Sequence, residues 1–136
     1  MIPKTRKFFG WVVCSVVLGT GSILAADTDV LDGYRVVALP QIDLSSQTPL
    51  ALADDFLSFV GVDIAETEMS LSVEKTPKGY LFDFHLRGYL DDSLAGENYR
   101  MLVKKHASRY FVSHAGVQYI CARGANTTEP QVAYCP

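Results

Sequence analysis

Basic residues, histidine and tryptophan are scarce in this chain of 136 residues. It has 12 lysines and arginines against 15 acidic residues, three histidines and one tryptophan, Trp11. Nucleic acid is bound by a basic stripe that neutralises phosphates, and the few basic residues here are scattered and form no such stripe. The acidic balance likewise disfavours attraction to an anionic membrane surface. We therefore expect no nucleic-acid partner.

Cysteine is also rare, and its few positions are informative. Cys14 lies in an apolar N-terminal run, which leaves Cys121 and Cys135 as a pair in the rest of the chain. An even pair in an exported chain is typical of a structural disulfide. The disulfide would close a loop of about 15 residues, which contributes about 3 kcal/mol to stability. Without a nearby histidine or a C-x-x-C spacing, the pair predicts neither a zinc site nor a redox centre.

Motifs that carry chemistry are missing as well. The chain has no G-x-S-x-G segment, and its three histidines fall at different heights on predicted strands. The acidic pair Asp54-Asp55 belongs to a solvated helix face and Asp91-Asp92 to a loop, so neither predicts a two-carboxylate hydrolase. We expect no catalytic residues, no metal and no cofactor; the alternative is a weak calcium site in the Asp91–Glu97 loop, which lacks EF-hand spacing.

The first 26 residues have the pattern of a secretory signal peptide. Basic residues over 4–7 precede an apolar run of 17 residues from Phe8 to Leu24, which is followed by Ala25 and Ala26. We expect cleavage after Ala25 or Ala26, a single exported domain over 27–136, and no stable membrane insertion afterwards. An uncleaved anchor is the main alternative, because the run is only slightly short of a membrane span. A lipoprotein is a weaker one, because no small residue precedes Cys14.

One amphipathic helix is predicted after residue 48. Thr48 can cap its N-terminus, Pro49 suits the first helical position, and Gly61 suits its end. The apolar stripe consists of Leu50, Ala53, Phe56, Leu57 and Val60.

Alternating apolar and polar residues predict an antiparallel meander around this helix. The predicted strands cover 33–39, 69–74, 80–87, 99–104 and 109–121, the last kinked at Ala115-Gly116. A polar connector is expected over 40–48, turns at 76–79 and 107–108, and a loop over 91–96.

The predicted registers agree with one another in placing apolar side chains on one face. They pair Val73 with Phe82, Leu71 with Phe84, Phe84 with Val103, Leu86 with Met101 and Val103 with Val112. The face then collects Met69, Leu71, Val73, Phe82, Phe84, Leu86, Met101, Val103 and Val112, together with His114. The other face is polar, and Asp83 can pair there with Lys104. The expected fold class is α+β, with one helix packed across a curved four- to five-stranded antiparallel sheet, and its element order resembles cystatin-like and NTF2-like proteins.

The segment S-L-A-G-E-N-Y, from Ser93 to Tyr99, resembles the S-x-x-G-x-x-Y loop of periplasmic C-type lysozyme inhibitors. The resemblance rests on Ser93, Gly96 and Tyr99. It implies a small, exported, β-rich inhibitor with one disulfide.

The leading hypothesis for function is a non-enzymatic binding or accessory domain of the periplasm or extracellular space, with a protein or small molecule as partner. The expected contact surface comprises Arg87, Asp91, Asp92, Ser93, Gly96, Glu97 and Arg100, because loops on a rigid sheet concentrate recognition. Arg87 and Arg100 are predicted to lie opposite each other, so that an acidic group of the protein or of a ligand must neutralise them. The alternative is an NTF2-like pocket, for ligand binding or hydrolysis, with an open cone lined by His114, Tyr99 and an acid.

Overall fold

A computed structural model describes residues 27–39 and 44–136. The predicted leader and residues 40–43 of the connector lie outside the described residues, so the signal peptide stays a prediction. Among the helices of the described ranges, none has the length and apolar character needed to cross a membrane.

The predicted α+β architecture is confirmed in its coarse form: the described residues form one α-helix and an open antiparallel sheet of six strands. The strands are β1 (Arg35–Val36), β2 (Ser45–Ser46), β3 (Glu68–Thr76), β4 (Gly79–Arg87), β5 (Leu94–His106) and β6 (Arg109–Cys121). The helix α1 covers Ala51–Val60, and short 3-10 helices cover Thr28–Leu31 and Ile64–Glu66. The sheet order is β1-β6-β5-β4-β3, and β2 also pairs with β6.

The two-residue strands account for the sheet having more strands than predicted. Only β1 forms within the predicted strand 33–39, with Arg35 opposite Val117, and the predicted connector contributes β2, with Ser45 opposite Phe111. Both lie along the same edge of β6, whose 13 residues leave room for two partners.

The helix begins and ends close to its predicted limits, but its buried face is different. The Thr48 hydroxyl accepts a bond from the Ala51 amide at 3.4 Å, and Gly61 ends the helix with a left-handed φ of 79°. Leu50 precedes the first turn and is exposed, so its inclusion in the apolar stripe was wrong. Leu52 takes its place and is fully buried, because positions four apart share a helix face, and Leu52 with Phe56 forms such a pair.

The first hairpin has the predicted register, but the second is shifted by four residues. Phe84 lies opposite Tyr99 rather than Val103, since β5 begins at Leu94 instead of residue 99. The Asp91 carboxylate accepts bonds from the Ser93 and Leu94 amides at 2.7 and 3.0 Å, which turns the chain early and shortens the loop. An even shift preserves which face each side chain occupies, so the inner face remains as predicted.

A β-bulge lies in β6 at Ser113 and not at the predicted kink. Val103 pairs with Val112 as predicted, whereas Leu102 pairs with His114, so the bulge moves His114 to the outer face of the sheet. The prediction that His114 shares the apolar face was therefore wrong.

The core lies between α1 and the inner face of β4, β5 and β6. Phe84 is fully buried there as predicted, with its ring 6.0 Å from that of Phe56. On β3, Met69 and Val73 remain 39% and 48% exposed. They are exposed because α1 contacts the β2–β6 side of the sheet, so β3 extends beyond the cover of the helix.

The outer face of the sheet is crossed by residues 27–34, here called the N-terminal strap. Asp27 pairs with Lys104, and Asp29 pairs with Lys78. The Gln118 side-chain amide donates to the Gly33 carbonyl at 2.9 Å. A Cβ atom at Gly116 would lie 2.7 Å from the Tyr34 Cβ, so glycine is needed where the strap meets β6.

Candidate functional site

The clearest candidate site is a groove of about 380 Å³ between the C-terminal end of α1 and the edge formed by β1 and β6. Its lining includes Arg35, Val36, Phe59, Tyr99, Tyr119 and Tyr134, and we call it the tyrosine groove. Tyr134 and Phe59 are 63% and 40% exposed, whereas the side chain of Val36, which lies opposite Gly116, is on the outer face of the sheet. Two large aromatic side chains therefore face solvent together at this end of the sheet.

The C-terminal tail forms one wall of the groove. The sulfur atoms of Cys121 and Cys135 are 2.09 Å apart, which confirms the predicted pair as one at disulfide distance. The backbones of Tyr119 and Gln131 exchange two hydrogen bonds of 2.8 and 2.9 Å, which aligns the tail with β6. Tyr134 lies between Gln131 and Cys135 in the chain, and its ring is 4.9 Å from the ring of Tyr119.

A positively charged side chain, Arg35, lines the groove. The Arg35 guanidinium stacks 4.1 Å from the centre of the Tyr134 ring, a cation–π geometry. Arg35 is held there by β1, which pairs it with Val117 of β6. Its planar donors suit a carboxylate, so the groove combines an aromatic surface with an anion-binding group.

Behind the groove, Glu97 accepts hydrogen bonds from two tyrosines. The Tyr89 and Tyr99 hydroxyls donate to the same carboxylate oxygen at 2.8 and 3.1 Å. Burial first, and then Glu97, raise the pKa of both phenols above the usual value. Burial and a bond with Tyr134 raise the pKa of Tyr119 to about 12. Tyr89, Tyr99 and Tyr119 are therefore neutral at physiological pH, where they serve as aromatic surface and hydrogen-bond donors and not as bases.

The predicted contact residues Asp91, Asp92 and Ser93 lie together in the turn between β4 and β5, near the tail. Arg123 donates to the Asp92 carboxylate and to the Ser93 hydroxyl, each at 3.1 Å, and the Ala122 amide donates to the Ser93 carbonyl at 2.7 Å. Sequence reasoning missed Arg123, although its place two residues after Cys121 was a signal that the disulfide would hold it at this end.

The two predicted contact arginines do not lie opposite each other, and that expectation was wrong. Arg87 lies opposite Gly96, and its guanidinium donates to the Asn98 side-chain oxygen at 3.0 Å. Arg100 lies opposite Asp83 and holds it with two bonds of 2.6 and 3.2 Å. The four-residue shift of β5 separates the like charges, and each arginine is bonded within the protein.

The predicted pair of Asp83 with Lys104 was also wrong, because the four-residue shift of β5 places Arg100 opposite Asp83, and Arg100 forms the ion pair with its carboxylate. Lys104 instead reaches Asp27 of the strap. The hydrogen bond from Lys104, followed by its charge, holds the pKa of Asp27 below its usual value.

The segment from Ser93 to Tyr99 is largely part of a strand. Gly96 and Tyr99 are both buried in β5, and a Cβ atom at Gly96 would lie 2.2 Å from the Leu86 carbonyl oxygen. The glycine therefore permits close contact between β4 and β5, and the predicted loop over 91–96 ends where β5 begins at Leu94.

The histidines lie apart from the groove. His85 Nδ1 is 3.0 Å from the Asn98 oxygen, and His114 Nδ1 is 3.1 Å from the Ser113 hydroxyl, both on the outer side of the sheet. Tyr99 lies on the inner face with Glu97 as its acidic neighbour, whereas His114 lies on the outer face. The predicted cone of His114, Tyr99 and an acid therefore does not form. In residues 27–39 and 44–136, no three histidine, cysteine or acidic side chains are grouped closely enough to hold a metal ion.

Neither protein-family models nor searches of curated proteins and of solved structures produced a match to this chain.

Proposed function

We propose that this protein is a non-enzymatic binding domain, exported to the periplasm or the extracellular space, that holds a segment of a partner protein in the tyrosine groove. The segment is extended and carries an acidic side chain for Arg35. The predicted signal peptide and the cysteine pair support export, since disulfides persist in oxidising compartments.

The observation that carries the proposal is the concentration of exposed Tyr134 and Phe59 in the groove that Arg35 also lines. Tyrosine and arginine are enriched among the residues that contribute most to protein–protein binding, because each offers a large rigid surface and a polar end. Among the described residues that line the groove, Arg35 is the one charged side chain, so an acidic partner segment is complementary to it.

The packing between helix and sheet supports a binding domain over an NTF2-like pocket. Leu52, Phe56, Phe82, Phe84 and Met101 are all at most 1% exposed, so the centre of the inner face is filled with side chains. The hydroxyls of Tyr89 and Tyr99 are already bonded to Glu97, which leaves that carboxylate committed within the protein.

A photo-crosslinking amino acid at Phe59 tests the proposal in the native compartment, with the same probe at Leu50, an exposed residue at the other end of α1, as matched control. We expect one partner to be captured from position 59 and not from position 50. With that partner purified, Tyr134→Ala should weaken binding about tenfold or more, as the loss of a central interface aromatic does.

Three further variants separate the groove from the contact surface predicted by sequence. Arg35→Ala should weaken binding of the purified partner, whereas Arg87→Ala and Asp92→Ala should leave the dissociation constant within about twofold. The reverse pattern would place the contact on the β4–β5 turn and the polar outer face instead of the groove.

A further inference from the structure

We propose that β3 pairs with β3 of a second copy of this chain, which joins the two sheets edge to edge across a two-fold axis. The starting observation is the far edge of the sheet. All nine residues of β3 pair with β4 without a bulge, and among the described residues nothing pairs with its other edge. Such an edge presents a row of backbone donors and acceptors to solvent.

Two of the features that protect an edge strand are missing from β3, because its sequence E-M-S-L-S-V-E-K-T has no proline and its register has no bulge. Its charged residues, Glu68, Glu74 and Lys75, lie toward the two ends of the strand and leave the centre uncharged. Met69 and Val73 on its inner side are 39% and 48% exposed, and Leu71 between them is half-buried. Natural proteins avoid a long, regular edge with exposed apolar side chains, because it templates pairing with another strand.

The sequence of β3 is complementary to itself when two copies run antiparallel about Ser72. This register uses the whole strand, since Glu68 then lies opposite Thr76 of the second copy. Leu71 lies opposite Val73, and the apolar stripes of the two inner faces become continuous. Residues directly opposite across antiparallel strands interact most strongly, so apolar pairs at the centre favour this arrangement.

Charge selects this register over the next one. Centred on Ser72, the acidic Glu74 lies opposite Ser70, and Lys75 lies opposite Met69, so no like charges face each other. A shift to a centre at Leu71 would place Glu68 opposite Glu74 on both sides of the axis, and opposed like charges destabilise a sheet. The self-complementary register is the reason to assign the edge to a second copy and not to a strand of a different protein.

The dimer would leave the tyrosine grooves free. Each groove lies beside β1 and β6, at the opposite end of the strand order from β3. The pairing therefore does not depend on the function proposed for the groove. Two grooves at the outer ends of a joined sheet would allow a divalent partner to bind more tightly than a monovalent one.

Cysteine substitutions at two matched serines test the register. Ser70 and Ser72 are both exposed and lie on the same face of β3. In the proposed register Ser72 meets its own copy, whereas the two copies of Ser70 are four residues apart along the strand, or about 13 Å. Under mild oxidation of the full-chain protein, Ser72→Cys should form a covalent dimer, and Ser70→Cys should not.

The mass in solution tests the pairing without added cysteines. Sedimentation equilibrium should show a dimer, and Val73→Lys, which places charge at the centre of the junction, should weaken the dimer at least tenfold. Val36→Lys, at an exposed valine on the opposite edge, should leave the mass unchanged. A monomer at a protein concentration of about 1 mM, equal crosslinking of the two cysteine variants, or a dimer insensitive to Val73→Lys would overturn the proposal.

Discussion

The two faces of the sheet are covered in different ways. On the inner face, α1 buries a continuous apolar layer that includes Phe56, Phe82 and Phe84. On the outer face, the N-terminal strap is attached by separate polar contacts, such as Asp27 with Lys104 and Asp29 with Lys78, and buries one apolar side chain, Leu31. Alternation along a strand separates an apolar face from a polar face. The apolar face is covered by a helix with an apolar stripe, and the polar face by a segment that forms ion pairs and hydrogen bonds.

The two covers contribute to stability unequally. Full burial of one large apolar side chain contributes about 1.5–3 kcal/mol, and the inner face contains several. The ion pairs of the strap have side chains that remain between 25% and 67% exposed, and exposed pairs contribute only about 0–1 kcal/mol each. The inner face therefore carries most of the stability, and the outer contacts chiefly position the strap.

The largest expected effect is at the centre of the inner face. Phe84→Ala should lower the free energy of unfolding by about 3–5 kcal/mol, because it leaves a cavity beside Phe56. His85→Ala, one residue along on the outer face, should cost about 1 kcal/mol or less. Urea denaturation followed by circular dichroism measures both, and equal losses at the two positions would contradict the assignment of faces.

The disulfide gives the next largest effect, because it attaches the tail to the end of β6. Cys135→Ala should cost about 2–4 kcal/mol, since the loop between the cysteines is no longer closed in the unfolded chain. Thermal unfolding with and without a reductant checks this, because a reductant should destabilise the native protein and leave the variant unaffected. Free reaction of both thiols with an alkylating agent in the native protein would show that the pair is not bonded.

On the outer face the strongest single contact is the bidentate pair of Arg100 with Asp83. Arg100→Ala should cost about 1–2 kcal/mol, because the pair is part-buried and its carboxylate loses a charged partner. Lys104→Ala, which removes one ion pair of the strap, should cost less than about 1 kcal/mol. A loss at Lys104 that equals the loss at Arg100 would mean that the strap is as important to stability as the sheet contact.

The smallest expected effect concerns alkaline pH and the buried tyrosines of the inner face. Tyr99 and Tyr119 lie on the inner face with raised pKa values, about 12 for Tyr119. A raised folded pKa means that the stabilisation is complete below pH about 10, where the unfolded phenol begins to ionise, and is lost as pH rises through 12. Ultraviolet titration should show these phenols ionising only with unfolding, and Tyr119→Phe should reduce the loss of stability above pH 10.

Much of the inner face was predictable from local pattern. The limits of α1, the pairing of Val73 with Phe82 and the burial of Phe84 all follow from side-chain periodicity, which each segment carries by itself. The burial of Leu52 was not predicted, because the rotation of a helix about its axis depends on what it packs against.

The candidate groove was not predictable, because it joins four segments distant in the chain. Arg35 comes from β1, Phe59 from α1, Tyr119 from β6 and Tyr134 from the tail. The residues proposed from sequence around the β4–β5 turn depended on a register that the Asp91 turn changes. The hydrogen bonds of the Asp91 side chain set the position of the turn and with it the register of the hairpin. The alternation of apolar and polar residues cannot reveal this, because an even shift in register leaves each side chain on the same face of the sheet.

The sequence by itself determined which side chains of β3 to β6 share a face up to the bulge, where the helix ends, and which cysteines are available to pair. These are properties of short segments, and they depend on the periods of helix and strand. Only the tertiary structure decided the register of β5, the bulge at Ser113 that moves His114, the strap across Gly116 and the grouping of Arg35 with the tyrosines. Those features arise where segments far apart in the chain meet, and their positions depend on loop closure and on the fit of side chains that no single segment contains.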